Sequence, residues 1–247
     1  MARKNMTSFQ DAANSTLRIE CGQGRGSGFH FIRPSIVVTN SHVIAGAAAA
    51  ASAVTEDGFK LPLKLLASSA ADSKDFAIFE AQGSIPKGRH VLHPKVMRPF
   101  LRGLDVIFAG FPHGIPDLLV QRAVVAGLLS DSAFYLDGSV NGGNSGGPVI
   151  DLSDGNVVGL VTQRRFLGGP DLSRLRQEAE QIRSQCQAMA GQGSVNIMGI
   201  DFGGFSKLMA EGMLLIRQVL EANANTGIGI GFSIEFVAEK CRELGVT

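Results

Sequence analysis

The sequence predicts an all-β fold, a sandwich or a pair of barrels, with a late α-helical hairpin insertion and a short C-terminal helix. From about residue 15 to residue 161, short apolar runs alternate with Gly, Pro, Asn and Asp, which is the pattern of many short strands joined by turns. The clearest runs are 36–38, 76–79, 106–109 and 157–161. A strand-like Gly-Ile-Gly-Ile-Gly-Phe-Ser-Ile pattern returns at 227–234 and precedes a predicted helix from about Glu235 to Leu244.

A helical periodicity replaces the strand pattern between residues 171 and 221. Apolar positions recur there at alternating spacings of three and four, which places them on one face of a helix. The first segment contributes Leu172, Leu175, Ala179, Ile182, Cys186 and Met189, and the second contributes Phe205, Leu208, Gly212, Leu215 and Val219. A Gly-rich stretch at 191–204 separates them, so we expect a hairpin whose two apolar seams pack on each other, with association with a second subunit as the alternative.

The composition excludes several classes of partner. The 23 Lys and Arg residues nearly balance the 22 Asp and Glu residues, so neither nucleic acid nor an acidic membrane surface is favoured. Cys21, Cys186 and Cys241 are an odd number, lie far apart and form no Cys-x-x-Cys pair, which predicts reduced thiols and a cytoplasmic location. The N-terminal residues show no secretory signal, and the Ala-rich stretch 45–53 is too short to span a bilayer.

The stretch 142–148 reads Gly-Gly-Asn-Ser-Gly-Gly-Pro and carries the strongest chemical signal. A nucleophilic serine needs backbone donors aimed at the developing oxyanion, and glycines allow a tight loop to present them. Taken alone, the stretch is equally compatible with a glycine-rich turn. It also matches Gly-x-Ser-x-Gly of the α/β-hydrolases, but their histidine follows the serine. The five histidines here (His30, His42, His90, His93 and His113) all precede Ser145, so that interpretation fails.

A chain order that remains for a triad is His, Asp, Ser. It requires a histidine well upstream of Ser145 and an aspartate between the two. His42 follows the apolar run 36–38 directly, where a base can be held rigidly at a strand end. Asp75 opens the apolar run 76–79, and an acid at the start of a buried strand can orient an imidazole; Asp72 lacks such a run. A lone His-x-x-His at 90–93 is weak evidence for metal, so no metal or cofactor is expected.

Together these residues resemble the trypsin-like serine peptidases, and among them the Deg/HtrA type. The matching segments are Gly26-Ser27-Gly28-Phe29, Thr39-Asn40-Ser41-His42-Val43, Asp75-Phe76-Ala77, 137–148 and Gly229-Ile230-Gly231-Phe232-Ser233-Ile234. The resemblance implies two chymotrypsin-like six-stranded β-barrels, with the triad of His42, Asp75 and Ser145 in the cleft between them. It also implies an oxyanion hole formed by the amides of Gly143 and Ser145.

The resemblance further places a substrate pocket beside the nucleophile. Ser139 is expected at its base, and the expected walls are Thr162, Gln163, Arg164 and Gly229. An uncharged floor favours a small or medium apolar side chain before the cleaved bond. If the guanidinium of Arg164 turned inward, acidic side chains would be preferred instead.

Two departures from the family affect the expected biology. No PDZ domain follows the peptidase region within the 247 residues, and the excursion 166–226 is much longer than usual between these strands. We expect an N-terminal barrel at 1–95, a C-terminal barrel at 96–165 with 227–247, and the hairpin at 166–226. Segment 171–222 is expected to mediate homo-oligomerisation or to bind a regulatory partner.

The functional expectation is a serine endopeptidase that acts on protein or peptide substrates through an acyl-enzyme intermediate. The alternative is a catalytically inactive trypsin-like module that serves in binding or as a chaperone. Reaction of Ser145 with a fluorophosphonate probe separates the two, because it requires an activated nucleophile.

Overall fold

The chain folds into two closed six-stranded antiparallel barrels and a separate helical unit. The computed structural model describes residues 9–246 except 23, 46, 71–73, 98–100, 165–169, 192–195, 198 and 224–226. It divides into two compact units, one comprising 1–165 with 227–247 and the other 166–226. The first unit contains both barrels, which confirms the predicted fold class.

The first barrel consists of strands β1 to β6 in the order β1-β2-β3-β6-β5-β4. Their bounds are β1 Thr16–Cys21, β2 Gly24–Phe31, β3 Arg33–Thr39, β4 Ser52–Val54, β5 Lys60–Ser68 and β6 Ala77–Ala81, with short 3-10 turns at His42–Ile44 and Ala48–Ala50. The continuous apolar run of β3 arises because both of its faces are covered. Val37 points into the core of the first barrel, whereas Ile36 and Val38 join a second core with residues of the other barrel.

The second barrel has the order β10-β11-β14-β9-β8-β7. Its strands are β7 Asp105–Gly110, β8 Leu119–Ser130, β9 Ala133–Asp137, β10 Pro148–Asp151, β11 Val157–Arg164 and β14 Ile228–Ser233. Phe108 and Phe134 fill its interior, while Ile107 and Ile150 face the first barrel. The chain leaves the barrel after β11 and returns in β14, which pairs with β11 and β9.

Two further helices belong to this unit. The predicted C-terminal helix is present as α4 Glu235–Glu243, and its Val237, Ala238 and Cys241 are buried in the core between the barrels. The helix α1 Phe9–Ser15 was not predicted. Its seven residues are too few to show an apolar periodicity, and Ala12 is its single buried apolar residue.

The second unit holds α2 Pro170–Gly191 and α3 Phe202–Asn223, with the short strands β12 Asn196–Ile197 and β13 Ile200–Asp201 between them. The two helices pack on each other. Along the described part of α3, however, the small residues Ser206 and Ala210 are buried, whereas Leu208 and Leu215 of the predicted seam are 66% and 60% exposed. The predicted packing face of α3 is therefore wrong, because its large apolar residues are exposed and the buried positions are the small residues Ser206 and Ala210.

The other large apolar members of the predicted seams that the structure describes are exposed too, whereas Ala179, Cys186 and Gly212 are half-buried. Phe205 on α3 and Ile182 and Met189 on α2 are exposed as well. The side chains of Leu172, Leu175 and Val219 lie outside the described residues. No helix in the described part of the chain is both long and apolar enough to cross a bilayer.

Candidate active site

Strand pairing brings His42 and Asp75 to the same end of the first barrel. Strands β3 and β6 are antiparallel, with Thr39 opposite Ala77. The residues just after β3 and just before β6 are therefore neighbours, although 33 positions separate them. The nitrogen Nδ1 of His42 lies 2.7 Å from Oδ2 of Asp75.

Asp75 is almost completely buried and accepts several hydrogen bonds through its carboxylate. Oδ1 accepts from the Ser41 hydroxyl at 2.8 Å and from the His42 backbone N–H at 3.1 Å. Oδ2 accepts from the Thr162 hydroxyl at 2.6 Å in addition to the His42 ring. Burial by itself raises the pKa of the Asp75 carboxyl, but the hydrogen bonds from His42 and Thr162 outweigh it and hold the pKa below its ordinary value.

These contacts determine the tautomer of His42. An ionised carboxylate can only accept hydrogen bonds, so the ring nitrogen that faces it carries the proton. Nε2 is then left with a lone pair, on a side chain that is 40% exposed. A neutral imidazole in this state can take a proton from a hydroxyl presented in the cleft.

Ser145 lies in the loop between β9 and β10, which is attached to both barrels. The Gly146 N–H donates to the Val161 carbonyl at 2.8 Å, and the Ser27 N–H donates to the Ser145 carbonyl at 2.8 Å. The Ser145 hydroxyl donates to the Thr162 carbonyl at 2.9 Å. Ser145 and His42 are both among the described residues, and no hydrogen bond joins their side chains in this state.

The backbone around Ser145 presents two unpaired donors. Among the described residues, the N–H groups of Gly143 and Ser145 donate to no protein acceptor. Gly143 has φ of 93°, and a Cβ at this position would lie 2.3 Å from the Phe111 carbonyl oxygen, so only glycine fits. Free amides on either side of Asn144 are the arrangement that can bind a developing oxyanion.

The residues expected to form the substrate pocket lie along β11, β14 and the loop after β9. Ser139 is exposed, and its carbonyl accepts from the Asn141 side-chain amide at 3.0 Å. Gly229 is paired with Arg164 and Leu136, and a Cβ on it would lie 2.3 Å from the buried Val140. The backbones of Gln163 and Arg164 are in β11, but their side chains lie outside the described residues.

Several groups at this site were not identified from the sequence. Thr162 was expected to line the pocket, whereas its hydroxyl is bonded to Asp75. Ser41 also holds Asp75, and Asn40 donates to the Asp75 carbonyl at 2.6 Å. The sequence signal for Ser41 and Asn40 was their position directly before His42 in the Thr-Asn-Ser-His-Val motif. The rival acid Asp72 lies outside the described residues.

The model of the trypsin-like peptidase domain matches residues 26–160 of this sequence, which include all three motifs. The chain belongs to this family. The resemblance to the Deg/HtrA type is confirmed as well. The peptidase domain is 34% identical over 147 residues to a probable periplasmic serine endoprotease, DegP-like, of Brucella suis, which covers 56% of this chain and 27% of the relative. It is 31% identical over 172 residues to Protease Do-like 1, chloroplastic, of Arabidopsis thaliana, covering 64% of this chain and 37% of the relative.

Solved structures share the fold. The serine endoprotease of Yersinia pestis aligns with a TM-score of 0.54 at 22% identity, covering 64% of this chain and 58% of that one. A protein of M. tuberculosis H37Rv in an inactive form aligns with a TM-score of 0.58 at 19% identity, covering 99% of this chain and 93% of that one. The peptidase domain spans about a quarter to a third of the length of the curated relatives named above.

The cytoplasmic location expected from the sequence is contradicted, because the relatives from Brucella and Rhizobium are named periplasmic endoproteases. The expectation rested on the cysteines, and these do not report a compartment. All three are free, and Cys21 and Cys241 are buried. A buried free cysteine behaves as a small apolar side chain wherever the protein is located.

Proposed function

We propose that this chain is a serine endopeptidase in which Ser145 is the nucleophile, His42 the general base and Asp75 the acid that orients it. The observation that carries the proposal is the combination of a carboxylate-anchored His42 with two unpaired amides next to Ser145. A binding protein would need neither of them. Membership of a peptidase family supports the same chemistry.

The reaction begins when the Ser145 hydroxyl rotates from the Thr162 carbonyl towards Nε2 of His42. The proton moves to Nε2 while Oγ bonds to the carbonyl carbon of the substrate, and the amides of Gly143 and Ser145 stabilise the oxyanion. The imidazolium then gives its proton to the leaving amine as the C–N bond breaks. Water, deprotonated by His42, hydrolyses the acyl-enzyme and restores the serine.

One observation favours the inactive alternative, namely the hydrogen bond from Ser145 to Thr162 in place of a bond to His42. A single neutral hydrogen bond contributes about 0.5–1.5 kcal/mol, and rotation of one side-chain torsion breaks it. That is small beside the many kilocalories per mole by which enzymes lower a barrier. The bond therefore describes a resting rotamer rather than a defect of the site.

The proposed substrate is an extended segment of a protein or peptide, with a small or medium apolar side chain before the cleaved bond. Ser139 would form the floor, and Thr162, Gln163, Arg164 and Gly229 the walls. Buried Val140 behind Gly229 supports an apolar wall that leaves no room for a larger residue at 229. A library profile dominated by Lys or Arg would contradict this preference.

We also infer that the helical unit is where a second copy of the chain or a regulatory partner binds. The exposed faces of α2 and α3 support the inference, because Leu208, Leu215 and Met189 present large apolar side chains to solvent. This role is compatible with proteolysis and does not replace it.

The proposed activity is tested with a peptide library and a labelled protein such as casein. Ser145→Ala and His42→Ala should each leave only the residual rate that binding and the oxyanion hole supply, on the order of 10³–10⁴ over water. The matched control is Ser132→Ala, which alters a hairpin serine of the same barrel and should cleave like the wild type. Near-normal cleavage by either active-site variant would refute the assignment.

A further inference from the structure

Ser27 is a fully buried hydroxyl in contact with the nucleophile loop. It lies in β2 with no solvent exposure, and its Oγ lies 2.9 Å from the Phe111 N–H and 2.7 Å from the Gly143 carbonyl oxygen. An N–H can only donate and a carbonyl can only accept. The Ser27 hydroxyl therefore accepts from Phe111 and donates to Gly143, and its orientation is determined completely.

The glycines on either side of Ser27 allow close packing of the backbone around it. A Cβ at Gly26 would lie 2.7 Å from the Val43 side chain and 3.0 Å from the Ser145 carbonyl oxygen. A Cβ at Gly28 would lie 2.7 Å from the Val38 carbonyl oxygen. Glycine at 26 lets β2 approach the nucleophile loop, glycine at 28 lets β2 pack closely on β3, and the residue between them supplies the hydroxyl.

The peptide groups on both sides of Gly143 are held by hydrogen bonds. The His113 N–H donates to the Gly142 carbonyl at 2.7 Å, which fixes the preceding peptide plane. In a trans peptide the carbonyl and the following N–H point in opposite directions, so the Gly143 N–H is directed away from His113. The Ser27 hydroxyl fixes the following plane through the Gly143 carbonyl.

We propose that Ser27 is a positioning residue for the oxyanion hole: its hydroxyl fixes the peptide plane that follows Gly143, limits rotation of the backbone at this glycine, and connects the nucleophile loop to the segment 111–113 that follows β7. The proposal rests on the proposed peptidase function, since an oxyanion hole has a task only in acyl transfer. Ser27 itself contacts no reacting atom.

Removal of the hydroxyl has a defined consequence for the reaction. In Ser27→Ala the Phe111 N–H loses its acceptor and the Gly143 carbonyl loses its donor, so the second peptide plane is held only by the hydrogen bond from the Asn144 N–H to the Asn141 carbonyl at 3.1 Å. Loss of a direct oxyanion donor costs about 10²–10³ in kcat, and the indirect effect should be smaller, about tenfold to a hundredfold. KM should change by less than about threefold, because ground-state binding does not use this donor.

The test compares wild type, Ser27→Ala and Ser15→Ala with p-nitrophenyl acetate and labelled casein as substrates. Ser15 is the matched control, because it is equally buried and its hydroxyl donates to the Ala12 carbonyl at 2.8 Å, in α1. We expect kcat and the rate of labelling by a fluorophosphonate to fall in Ser27→Ala and to stay at the wild-type value in Ser15→Ala. The melting temperature of each variant shows whether lost stability explains the result.

If the wild type is active and the kcat of Ser27→Ala lies within about twofold of the wild-type kcat, the inference is overturned. An equal loss of kcat in Ser15→Ala would overturn it as well. If the alanine variant does not fold, Ser27→Cys takes its place. The thiol has a similar shape and is a weaker donor, so an intermediate loss of kcat is expected and a wild-type kcat overturns the inference. A folded wild type without activity on either substrate would overturn the proposed function itself.

Discussion

Asp75 has an unusual backbone as well as a buried side chain. Its φ of 44° lies in the left-handed region, which costs a non-glycine residue on the order of 1–3 kcal/mol. The Asn40 side chain holds the Asp75 carbonyl at 2.6 Å, and the Asp75 N–H donates to Ala70 at 3.3 Å. Surrounding contacts therefore keep the residue in a conformation that aims its carboxylate at His42.

A second buried ionisable residue, His30, should make stability depend on pH. Its Nδ1 lies 2.6 Å from the Pro34 carbonyl, and its buried Nε2 has no protein partner among the described residues. Burial lowers the pKa of His30 to about 4, although the Pro34 carbonyl acts in the opposite direction. The unfolded chain takes up this proton near pH 6.5, so stability should decline from pH 6.5 to pH 4, by about 3 kcal/mol in all.

The variant His30→Asn keeps a donor near Nδ1 and does not titrate, so its free energy of unfolding should change less over this range. Urea denaturation at several pH values between 4 and 6.5 measures the difference. The control His93→Asn alters an exposed histidine and should keep the wild-type dependence. An unchanged slope in His30→Asn would show that another group is responsible.

Motifs identify a site residue when its role depends on a few neighbouring positions. Ser145 and His42 each stand in such a segment, and Asp75 was chosen because an apolar run follows it. Ser27 was quoted only as part of a motif, and its contact with Gly143 spans 116 positions. The Thr162 contact depends on a register shift between Val161 and Gln163 that the sequence does not reveal.

At the level of elements, the strands were predictable because most apolar runs face two cores. The sequence predicted the helical hairpin, but it did not predict correctly which face of each helix is buried. The prediction from apolar periodicity assumed that the large apolar side chains are the buried ones. In α3 the described contacts instead bury Ser206 and Ala210, while a groove between the helices is lined by Ala190 and Leu214.

Substitutions on the exposed face of α3 should therefore alter association and not folding. Leu208→Gln with Leu215→Gln should change the free energy of unfolding by less than about 0.5 kcal/mol per site. If the face binds a second copy, the mass in solution should fall towards that of one 26.0 kDa chain. Sedimentation equilibrium and urea denaturation measure the two effects.

The control for this pair is Ala210→Gln, which places a larger polar side chain at a buried position and should destabilise the unit by about 1–3 kcal/mol. A large loss of stability in the Leu208 and Leu215 variant would mean that the face is covered within the chain. A wild type that is already monomeric would favour a different partner.

For the whole molecule, the proposed chemistry depends on how the two barrels meet. The first barrel supplies His42 and Asp75, and the second supplies Ser145 and Thr162. The core between them contains Phe29 and other residues of both barrels, so the barrels are joined by buried apolar contact. Each fully buried side chain of this size contributes about 1.5–3 kcal/mol to stability. The apolar contact therefore holds the site residues of the two barrels in a fixed arrangement.

The central claim is that His42 activates Ser145 for attack. The most direct measurement treats the folded protein with a fluorophosphonate and identifies the labelled residue by mass spectrometry of its peptides. The account predicts a single adduct on Ser145 in the wild type, with labelling at least a hundredfold slower in His42→Ala. No adduct on the folded wild type, or equal labelling of Ser145 in both proteins, would contradict it.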